Sequence, residues 1–381
     1  MKEKSRKKQL NIAMLGHKRI PSREGGIEVV TEELSARMVE KGHKVVCYNR
    51  SGHNVAGAEF DVKGRKSYRG VQLKYVFTVD RGGLAALTSS VSASIRAAFG
   101  RYDIVHIHAE GPAAMAWLPK LFGKKVIVTV HGLDWQREKW GKGFASKYIH
   151  FGEKTAVRFA DEIIVLSSEI QRYFKETYGR ETTFIPNGIN KPKLRLADEI
   201  AKKWELEKDG YILYLGRIVP EKGERYLIEA FKKVKTDKKL VIAGGLSDTV
   251  GFGDELYKLA SDDDRIIFTG FVQGRIKHEL YSNSYIYTLP SDLEGMPLSL
   301  LEGMSYGNCC LCSDIPECAE IVEDKAVTFR KSDIEDLRNK LQMLCDDEQK
   351  VAGYKAAAKD FILNKYNWDD TVNKTIDLYN G

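Results

Sequence analysis

The sequence predicts an α/β protein of two domains, each built on a parallel sheet wound with helices. Two observations support this prediction. Short apolar runs of strand length alternate along the chain with segments of helical periodicity, which is the order typical of parallel sheets. The chain of 381 residues is also too long for one compact core. With 43% hydrophobic and 30% charged residues, its composition is that of a globular protein.

The strand candidates form two sets of six. The first set is NIAML, KVVCYN, QLKYVF, DIVHIH, KVIVTV and EIIVLS, and the second is YILYLG, KLVIAG, RIIFTG, SYIYTL, CCLCS and AVTF. The sets are joined near IPNGINKPKLRL, around residues 186 to 209. We expect two Rossmann-like domains, 1–190 and 191–381, with the last helix free to pack back on the first domain. Ligands of such sheets bind at the carboxyl ends of the strands, so the domains should face an interdomain cleft.

The chain offers no signal for export or for crossing a membrane. No run of about eighteen apolar residues predicts a spanning helix. The basic N-terminus MKEKSRKKQ precedes an apolar run that is too short for a signal peptide. We therefore expect a cytoplasmic protein.

The sequence predicts no metal site. Four of the six cysteines lie in NCCLCSDIPEC, which reads as a buried strand where cysteine packs as a small apolar side chain. No second cluster has zinc-like spacing. His106 and His108 share one strand face without an evident third ligand, so we interpret both as structural. The acidic run Asp262 to Asp264 precedes a strand and is interpreted as a solvated turn.

Two glutamates, Glu294 and Glu302, flank the start of a predicted helix in PSDLEGMPLSLLEGMSYG. The helix LSLLEGMSYG follows the strand SYIYTL, with Pro297 suited to its first turn, so Glu294 lies on the loop and Glu302 in the second helical turn. A helix N-terminus favours an anion such as a diphosphate. Carboxylates beside an anion suit neutral donors such as sugar hydroxyls. The backbone N–H groups expected at this N-terminus are those of Gly295, Met296 and Leu298.

Two cations are available for a diphosphate. The first strand of the second half leads into GRIVPEKGERYLIEAF, which places Arg217 and Lys222 on one loop. Arginine offers a bidentate fork and lysine a mobile point charge, and both suit phosphate oxygens. The glutamate pair and the cations, in this order, predict a site for a nucleotide sugar.

Taken together, the motifs GRIVPEKG, FTGFV, EGMPLSLLEGMSYG and SDIPECAEIV resemble the donor domain of retaining nucleotide-sugar glycosyltransferases of the GT-B architecture, particularly the large bacterial family 4. The segment GHKRIPSREGGIEVVTEEL resembles the N-terminal glycine loop of that family, and VTVHGLDW resembles its histidine at the end of the fifth strand. The resemblance spans nearly the whole chain. It implies transfer of a sugar, with retained anomeric configuration, to a glycan or lipid-linked acceptor in the synthesis of a cell-surface polysaccharide or glycoconjugate.

The resemblance also implies roles for single residues. Arg217 and Lys222 would hold the donor diphosphate, Glu294 would bind hydroxyls of the donor sugar, and Glu302 would bind the ribose. The implied chemistry needs no metal and no cofactor, with a UDP-sugar as the best guess for the donor. In the N-terminal domain, which would receive the acceptor, three further residues are implied: Gly25 and Gly26 for backbone approach to the diphosphate, and His131 near the reacting centre.

Charge is divided unevenly along the chain. Residues 1 to 195 carry 35 Lys and Arg against 19 Asp and Glu, whereas the remainder carries 25 against 34. A basic acceptor domain suggests an anionic acceptor or an anionic membrane surface. The stretch HGLDWQREKWGKGFASKY interleaves aromatic and basic residues, which suits a lipid headgroup region. No nucleic-acid recognition module accompanies it. An ordinary cleft loop with a solvated basic face remains the alternative.

Other functions remain open or are excluded on specific grounds. A dehydrogenase would need G-x-G-x-x-G after the first strand, and MLGHKRIPSREGG does not offer it. A nucleotide-sugar epimerase of the same two-domain shape stays an alternative, as does a non-catalytic protein that binds nucleotide sugars.

Overall fold

The computed structural model describes residues 9–23, 25–51, 64–79, 81–136, 143–245 and 251–381. The chain divides into two compact units. One contains the described residues up to Asn187 together with Trp368–Gly381, and the other contains Gly188–Asn367. The basic and aromatic residues singled out between 137 and 142 lie outside the described part of the chain.

The first unit is built on an eight-stranded sheet. Its strands are β1 (Asn11–Leu15), β2 (Lys44–Arg50), β3 (Ser67–Tyr68), β4 (Val71–Val76), β5 (Ile104–His108), β6 (Lys125–Val130), β7 (Glu162–Val165) and β8 (Thr183–Phe184). Their order is β3-β4-β2-β1-β5-β6-β7-β8, and all neighbours are parallel except β3 and β4. Because helices cover parallel sheets on both faces, strands such as β5 are buried along their whole length.

The helices of this part of the chain follow the predicted alternation. They are α1 (Gly26–Glu40), α2 (Gly82–Ala98), α3 (Glu110–Ala113), α4 (Trp117–Leu121), α5 (Phe144–Phe159) and α6 (Ser168–Tyr178). Among them α2 packs against α3 and α4, and α5 packs against α3 and α4.

The second unit is built on a six-stranded parallel sheet. Its strands are β9 (Tyr211–Leu215), β10 (Lys239–Ala243), β11 (Ile266–Gly270), β12 (Ile286–Leu289), β13 (Cys309–Ser313) and β14 (Val327–Phe329), in the order β11-β10-β9-β12-β13-β14. Its helices are α7 (Glu199–Trp204), α8 (Glu224–Lys232), α9 (Phe252–Ala260), α10 (Gly274–Asn283), α11 (Leu298–Ser305), α12 (Pro316–Val322), α13 (Ile334–Asp346) and α14 (Glu348–Lys365).

The last helix, α15 (Trp368–Asn380), belongs to the first unit. It packs against α1. The hydroxyl of Tyr379 lies 2.6 Å from Nδ1 of His106 on β5, and Nζ of Lys125 donates to the carbonyl oxygen of Leu378 at 2.8 Å. The end of the chain therefore completes a unit that the beginning of the chain starts.

The structure confirms all twelve predicted strands and adds two. The additional strands, β3 and β8, contain two residues each and lie at the two edges of the first sheet. The packing interpretation of the cysteine cluster is also confirmed, because Cys309, Cys310, Cys312 and Cys318 are all fully buried with free thiols.

The order of strands fixes where each sheet can bind a ligand. In the second sheet the chain runs from β9 outward to β10 and β11, then returns to the other side of β9 with β12. In the first sheet β1 lies between β2 and β5 in the same way. Loops leaving adjacent strands in opposite directions open a crevice at such a switch point, and this crevice is where doubly wound sheets bind ligands.

Candidate functional site

At the switch point of the second sheet, the loop after β9 is fastened to the loop after β12. Gly223 has a φ of 74°, and a Cβ atom added to it would lie 2.0 Å from the carbonyl oxygen of Pro290. The backbone N–H of Asp292 donates to the carbonyl oxygen of Glu221 at 2.9 Å. Only glycine fits both the left-handed conformation and the close approach. The two segments on which the predicted site depends are therefore held side by side.

This contact brings together two residues to which the sequence gave different roles. Nζ of Lys222 forms an ion pair with the Glu294 carboxylate. The side chains are only 16% and 6% exposed, respectively. A partly buried carboxylate needs a paired cation or hydrogen-bond donors, and Lys222 supplies the cation. The sequence did not predict this pairing, because the residues are 72 positions apart.

Arg217 stands differently in the same loop. Its side chain is exposed, and it has no hydrogen-bond or ion-pair partner among the residues that the structure describes. Its backbone is held instead, because the carbonyl oxygen accepts a hydrogen bond from the Tyr214 hydroxyl at 2.8 Å. A guanidinium that is positioned through its backbone and exposed at its head can reach a phosphate from this loop.

The glutamate of the helix, Glu302, lies in the second turn of α11 as predicted, but it has a partner that the sequence did not reveal. Nζ of Lys277 on α10 lies 2.6 Å from Oε1 of Glu302, and the Tyr281 hydroxyl donates to Oε2 at 3.3 Å. Nothing in the local pattern around Lys277 points to this contact, because it joins two separate helices.

The start of α11 differs from the prediction by one residue. The helix begins at Leu298, and Pro297 is its N-cap rather than part of its first turn. Leu300 and Leu301 donate their N–H groups to the carbonyl oxygen of Pro297, at 3.1 and 3.3 Å. Gly295 and Met296 lie buried on the loop before the helix. The N–H group of Leu298 falls in the first turn, where helical amides have no partner within the helix.

A buried carboxyl group supports this loop from below. Glu224, the first residue of α8, is fully buried, and its Oε1 lies 2.7 Å from the Tyr214 hydroxyl. Burial raises the pKa of Glu224 to about 8, against the weaker opposing effects of the Tyr214 hydrogen bond and the Lys222 charge. The sequence did carry a signal for this burial, because Glu224 shares the 3–4 residue spacing of the apolar residues Leu227, Ile228 and Phe231 on α8.

In the first unit, the loop after β1 is pinned at the matching switch point. Gly16 has a φ of 100°, and a Cβ there would lie 2.0 Å from the carbonyl oxygen of His108 at the end of β5. Oδ1 of Asn49 accepts from the N–H of Ile20 at 3.1 Å, and Oε1 of Glu28 accepts from the N–H of Lys18 at 3.0 Å. The loop is therefore ordered by side chains of β2 and α1.

The predicted glycines lie at the end of this loop. Gly25 is the N-cap of α1 with an extended φ of −167°, and Gly26 is the exposed first residue of the helix. The Gly25 conformation is open to any residue. Its small size matters more, since a Cβ would lie 2.8 Å from Oε2 of Glu28.

Three histidines line up beside the loop after β1. Nε2 of His131 lies 3.0 Å from Nδ1 of His108, so His108 supports the histidine that the sequence singled out. His106 and His108 are fully buried, and burial lowers the pKa of both, to about 3 for His106. His106 also contacts the Thr129 hydroxyl at 2.6 Å. The structural interpretation of His106 is confirmed, whereas His108 both packs and positions His131.

The acidic run before β11 is a turn whose carboxylates are paired. Oδ1 of Asp262 lies 2.5 Å from Nζ of Lys232, and Oδ2 of Asp263 lies 2.7 Å from the Arg265 guanidinium. Among the described residues, no group of three or more His, Cys, Asp or Glu side chains is arranged to hold a metal ion.

Comparison with known proteins covers both units. The family model described as Glycosyltransferase Family 4 matches residues 24–191, and the one described as Glycosyl transferases group 1 matches residues 197–361. A curated relative, the UDP-Gal:alpha-D-GlcNAc-diphosphoundecaprenol alpha-1,3-galactosyltransferase of Escherichia coli, is 28% identical over 73% of this chain and 75% of its own length.

Two solved structures show the same fold. Sucrose-phosphate synthase from Thermosynechococcus elongatus superposes with a TM-score of 0.81 at 18% identity, covering 98% of each chain. HepE from Anabaena, solved in complex with UDP-glucose, superposes with a TM-score of 0.79 at 16% identity, covering 97% of this chain and 100% of its own.

Proposed function

Because the chain is a glycosyltransferase of the GT-B architecture and the family 4 type, we propose that it transfers a sugar, with retention, from a nucleoside-diphosphate donor to a glycan or lipid-linked acceptor. The observation that carries this proposal is the convergence of Arg217, Lys222 and Glu294 at the carboxyl ends of β9 and β12, where the contact between Gly223 and Pro290 holds their loops together.

We assign the donor diphosphate to the cationic side of this site. Arg217 and Lys222 supply positive charge, and the N–H groups at the start of α11 face the same anion. As the glycosidic bond breaks, negative charge grows on the leaving diphosphate, and fixed cations and N–H groups stabilise it. The acceptor hydroxyl then attacks from the face that the diphosphate leaves, through an oxocarbenium-like state, so the anomeric configuration is retained.

We assign the carboxylates to neutral hydroxyl groups. Glu294 accepts hydrogen bonds from the donor sugar, and Lys222 keeps that carboxylate charged and oriented. Glu302, held by Lys277 and Tyr281, accepts from the ribose. His131 of the first unit, supported by His108, is proposed to contact the reacting sugar, and Gly25 and Gly26 are proposed to let the backbone approach the diphosphate.

For the donor we propose a UDP-sugar. Two comparisons support this choice: HepE was solved with UDP-glucose, and the name of the E. coli relative includes UDP-Gal. Cations and helix dipoles suffice for the leaving group, so the proposed reaction requires no metal and no cofactor.

For the acceptor we propose a glycan or a lipid-linked saccharide in the synthesis of a cell-surface polysaccharide or glycoconjugate. The E. coli relative is named for a diphosphoundecaprenol-linked acceptor. The basic first half of this chain suits an anionic acceptor or an anionic bilayer. The structure contains no described helix whose length and apolar character would let it cross a membrane. We propose a cytoplasmic location with peripheral attachment to the inner face of the membrane.

A calorimetric screen of UDP-, GDP-, ADP- and dTDP-sugars tests the donor, followed by an assay for release of the nucleotide with and without a lipid-linked acceptor. Binding of a UDP-sugar with acceptor-dependent release of UDP is the expected result. Binding without any release of nucleotide would instead identify a non-catalytic sugar-nucleotide protein. Conversion of the sugar without transfer would identify an epimerase.

A further inference from the structure

Helix α2 of the first unit presents an apolar stripe to solvent. Leu84, Ile95 and Phe99, the last being the C-cap of the helix, are exposed, Phe99 by 69%. Half-buried Thr88 and Val91 continue the stripe between them at helical spacing. The outward face of a helix in a globular protein is normally polar, because its apolar side faces the core. An outward apolar stripe is therefore unusual and calls for a partner.

The stripe continues onto the end of α4. Phe122, the C-cap of α4, is exposed and packs its ring against Phe99 with the centroids 4.5 Å apart. Leu121 beside it is 71% exposed. Nζ of Lys124 donates to the carbonyl oxygen of Gly100 at 2.7 Å, which ties the two helix ends together. The exposed apolar residues thus form one patch rather than scattered single residues.

Helix α5 adds a basic stripe on the same layer. Lys147, Phe151, Lys154 and Arg158 are all exposed and follow each other at helical spacing, so they share one face. The layer is continuous, because α5 packs against α4 and because Nζ of Lys120 on α4 lies 2.5 Å from the carboxylate of Asp161, just beyond α5. We call the outward surface of α2, α4 and α5 the outer face.

The charge on the outer face has one sign. Its cations include Arg96, Arg101, Lys154 and Arg158, all exposed. The described acidic residues of these segments are either fully buried or paired: Glu110 and Glu153 are buried, Asp103 accepts from the N–H of Asn11, and Asp161 pairs with Lys120. Exposed aromatic rings among unopposed cations match the interface of an anionic bilayer.

We propose that the outer face docks on an anionic lipid bilayer, with Phe99 and Phe122 inserting among the headgroups and the α5 cations contacting lipid phosphates. A second copy of the chain is a weaker candidate, because a symmetric dimer through this face would place like charges opposite each other. The inference rests on the proposed peripheral attachment and names the surface responsible. The residues between 137 and 142, to which the sequence pointed, lead directly into α5.

The experiment compares sedimentation with vesicles of phosphatidylcholine alone and of phosphatidylcholine mixed with phosphatidylglycerol, using the full chain. Wild type should bind only the anionic vesicles and should be released as salt rises. Phe99→Ser with Phe122→Ser should lower the partition coefficient about tenfold or more, since two inserting rings are lost. Lys154→Glu with Arg158→Glu should lower it as well, and this effect should vanish at high salt.

Tyr257→Ser with Lys258→Glu provides a matched control, because both residues are exposed on α9 of the second unit. This variant should sediment like wild type. Thermal melting should be unchanged in all three variants, since the substituted side chains are exposed. UDP-sugar binding and transfer to a water-soluble acceptor analogue should also be unchanged.

Three outcomes would overturn the inference. Wild type could bind no vesicles, although transfer to the soluble analogue continues, which would leave the transferase intact without the docking. The outer-face variants could sediment like wild type, which would place the membrane contact elsewhere. Light scattering could show a dimer that Phe99→Ser with Phe122→Ser dissociates, which would make a second copy the partner of this face.

Discussion

The hydroxyl of Tyr214 lies 2.7 Å from Oε1 of Glu224. The same hydroxyl lies 2.8 Å from the carbonyl oxygen of Arg217. A tyrosine has only one hydroxyl hydrogen, so it can donate to one of these oxygens and not to both. If Glu224 is protonated, its O–H donates to Tyr214, and Tyr214 donates to Arg217, which satisfies the whole chain. Burial, which raises the pKa of Glu224 to about 8, favours this neutral form.

This arrangement predicts a pH dependence of stability. In the unfolded chain the carboxyl ionises near its ordinary value of 4.5, whereas in the folded chain it ionises at about 8. Between these values the folded protein keeps a proton that the unfolded chain has lost, so the free energy of unfolding should fall by up to about 1.4 kcal/mol per pH unit. The contribution is complete below the unfolded value and is lost as pH rises through the folded value.

Glu224→Gln isolates this effect. The amide stays neutral and can donate to Tyr214, so the stability of the variant relative to wild type should increase from about pH 5 to about pH 8 in urea unfolding. The other titratable groups near Glu224, namely Tyr214, Lys222, Tyr287 and Glu294, are the same in both proteins. Glu207→Gln, at an exposed position, should show no such trend. A constant difference between Glu224→Gln and wild type would mean that Glu224 is ionised throughout.

Arg217→Ala should separate function from stability most cleanly. The side chain is exposed, so the melting temperature should stay within the range of a neutral surface substitution. Activity should fall on the order of a hundredfold or more, the scale for losing one contact that stabilises the transition state. Steady-state kinetics with the identified donor measures this loss. Near-normal turnover would remove Arg217 from the proposed diphosphate site.

Glu294→Gln should lower both activity and stability. The amide can still hydrogen-bond to a sugar but leaves Lys222 without its ionic partner in a mostly buried position. We expect a loss of about 1–3 kcal/mol in the free energy of unfolding and a fall in kcat on the order of a hundredfold. Circular dichroism melts and single-turnover kinetics would separate these effects. Full activity with lowered stability would make the pair purely structural.

Glu302→Gln should act on nucleotide binding rather than on the chemical step. If Glu302 accepts from the ribose, its loss should weaken binding of UDP about tenfold, the scale for one hydrogen bond to a charged group, and should change kcat little. Lys277→Met should weaken UDP binding as well, because Lys277 orients the Glu302 carboxylate at 2.6 Å. Calorimetry with UDP tests both variants. Unchanged affinity in both would exclude Glu302 from the nucleotide site.

Chelation tests the proposed charge balance at the diphosphate. Because Arg217, Lys222 and the start of α11 are proposed to stabilise the leaving group, activity should persist in EDTA after dialysis. A complete loss that Mg²⁺ or Mn²⁺ restores would contradict the metal-independent mechanism. Adding EDTA to the Arg217→Ala variant gives a useful comparison, since its residual activity should also be unaffected.

The sequence predicted the elements of the fold better than the contacts of the site. Continuous apolar runs identify strands buried on both faces, but β3 and β8, with two residues each, are too short to leave a pattern. The pairs Lys222–Glu294 and Lys277–Glu302 join residues that are 72 and 25 positions apart. Such contacts depend on tertiary packing, which one sequence does not reveal. Glu224 was missed because buried glutamates are rare, although its position on the apolar face of α8 pointed inward.

Helix α15 has a consequence for how the protein is made. The ribosome releases the chain from the N-terminus, so every residue of the second unit is synthesised before the helix that completes the first. During translation the β5 residue His106 lacks the Tyr379 hydroxyl, and Lys125 lacks the carbonyl oxygen of Leu378. The second unit can therefore reach its final form first, although it is encoded later. A fragment that stops at Asn187 would need α15 supplied as a separate peptide.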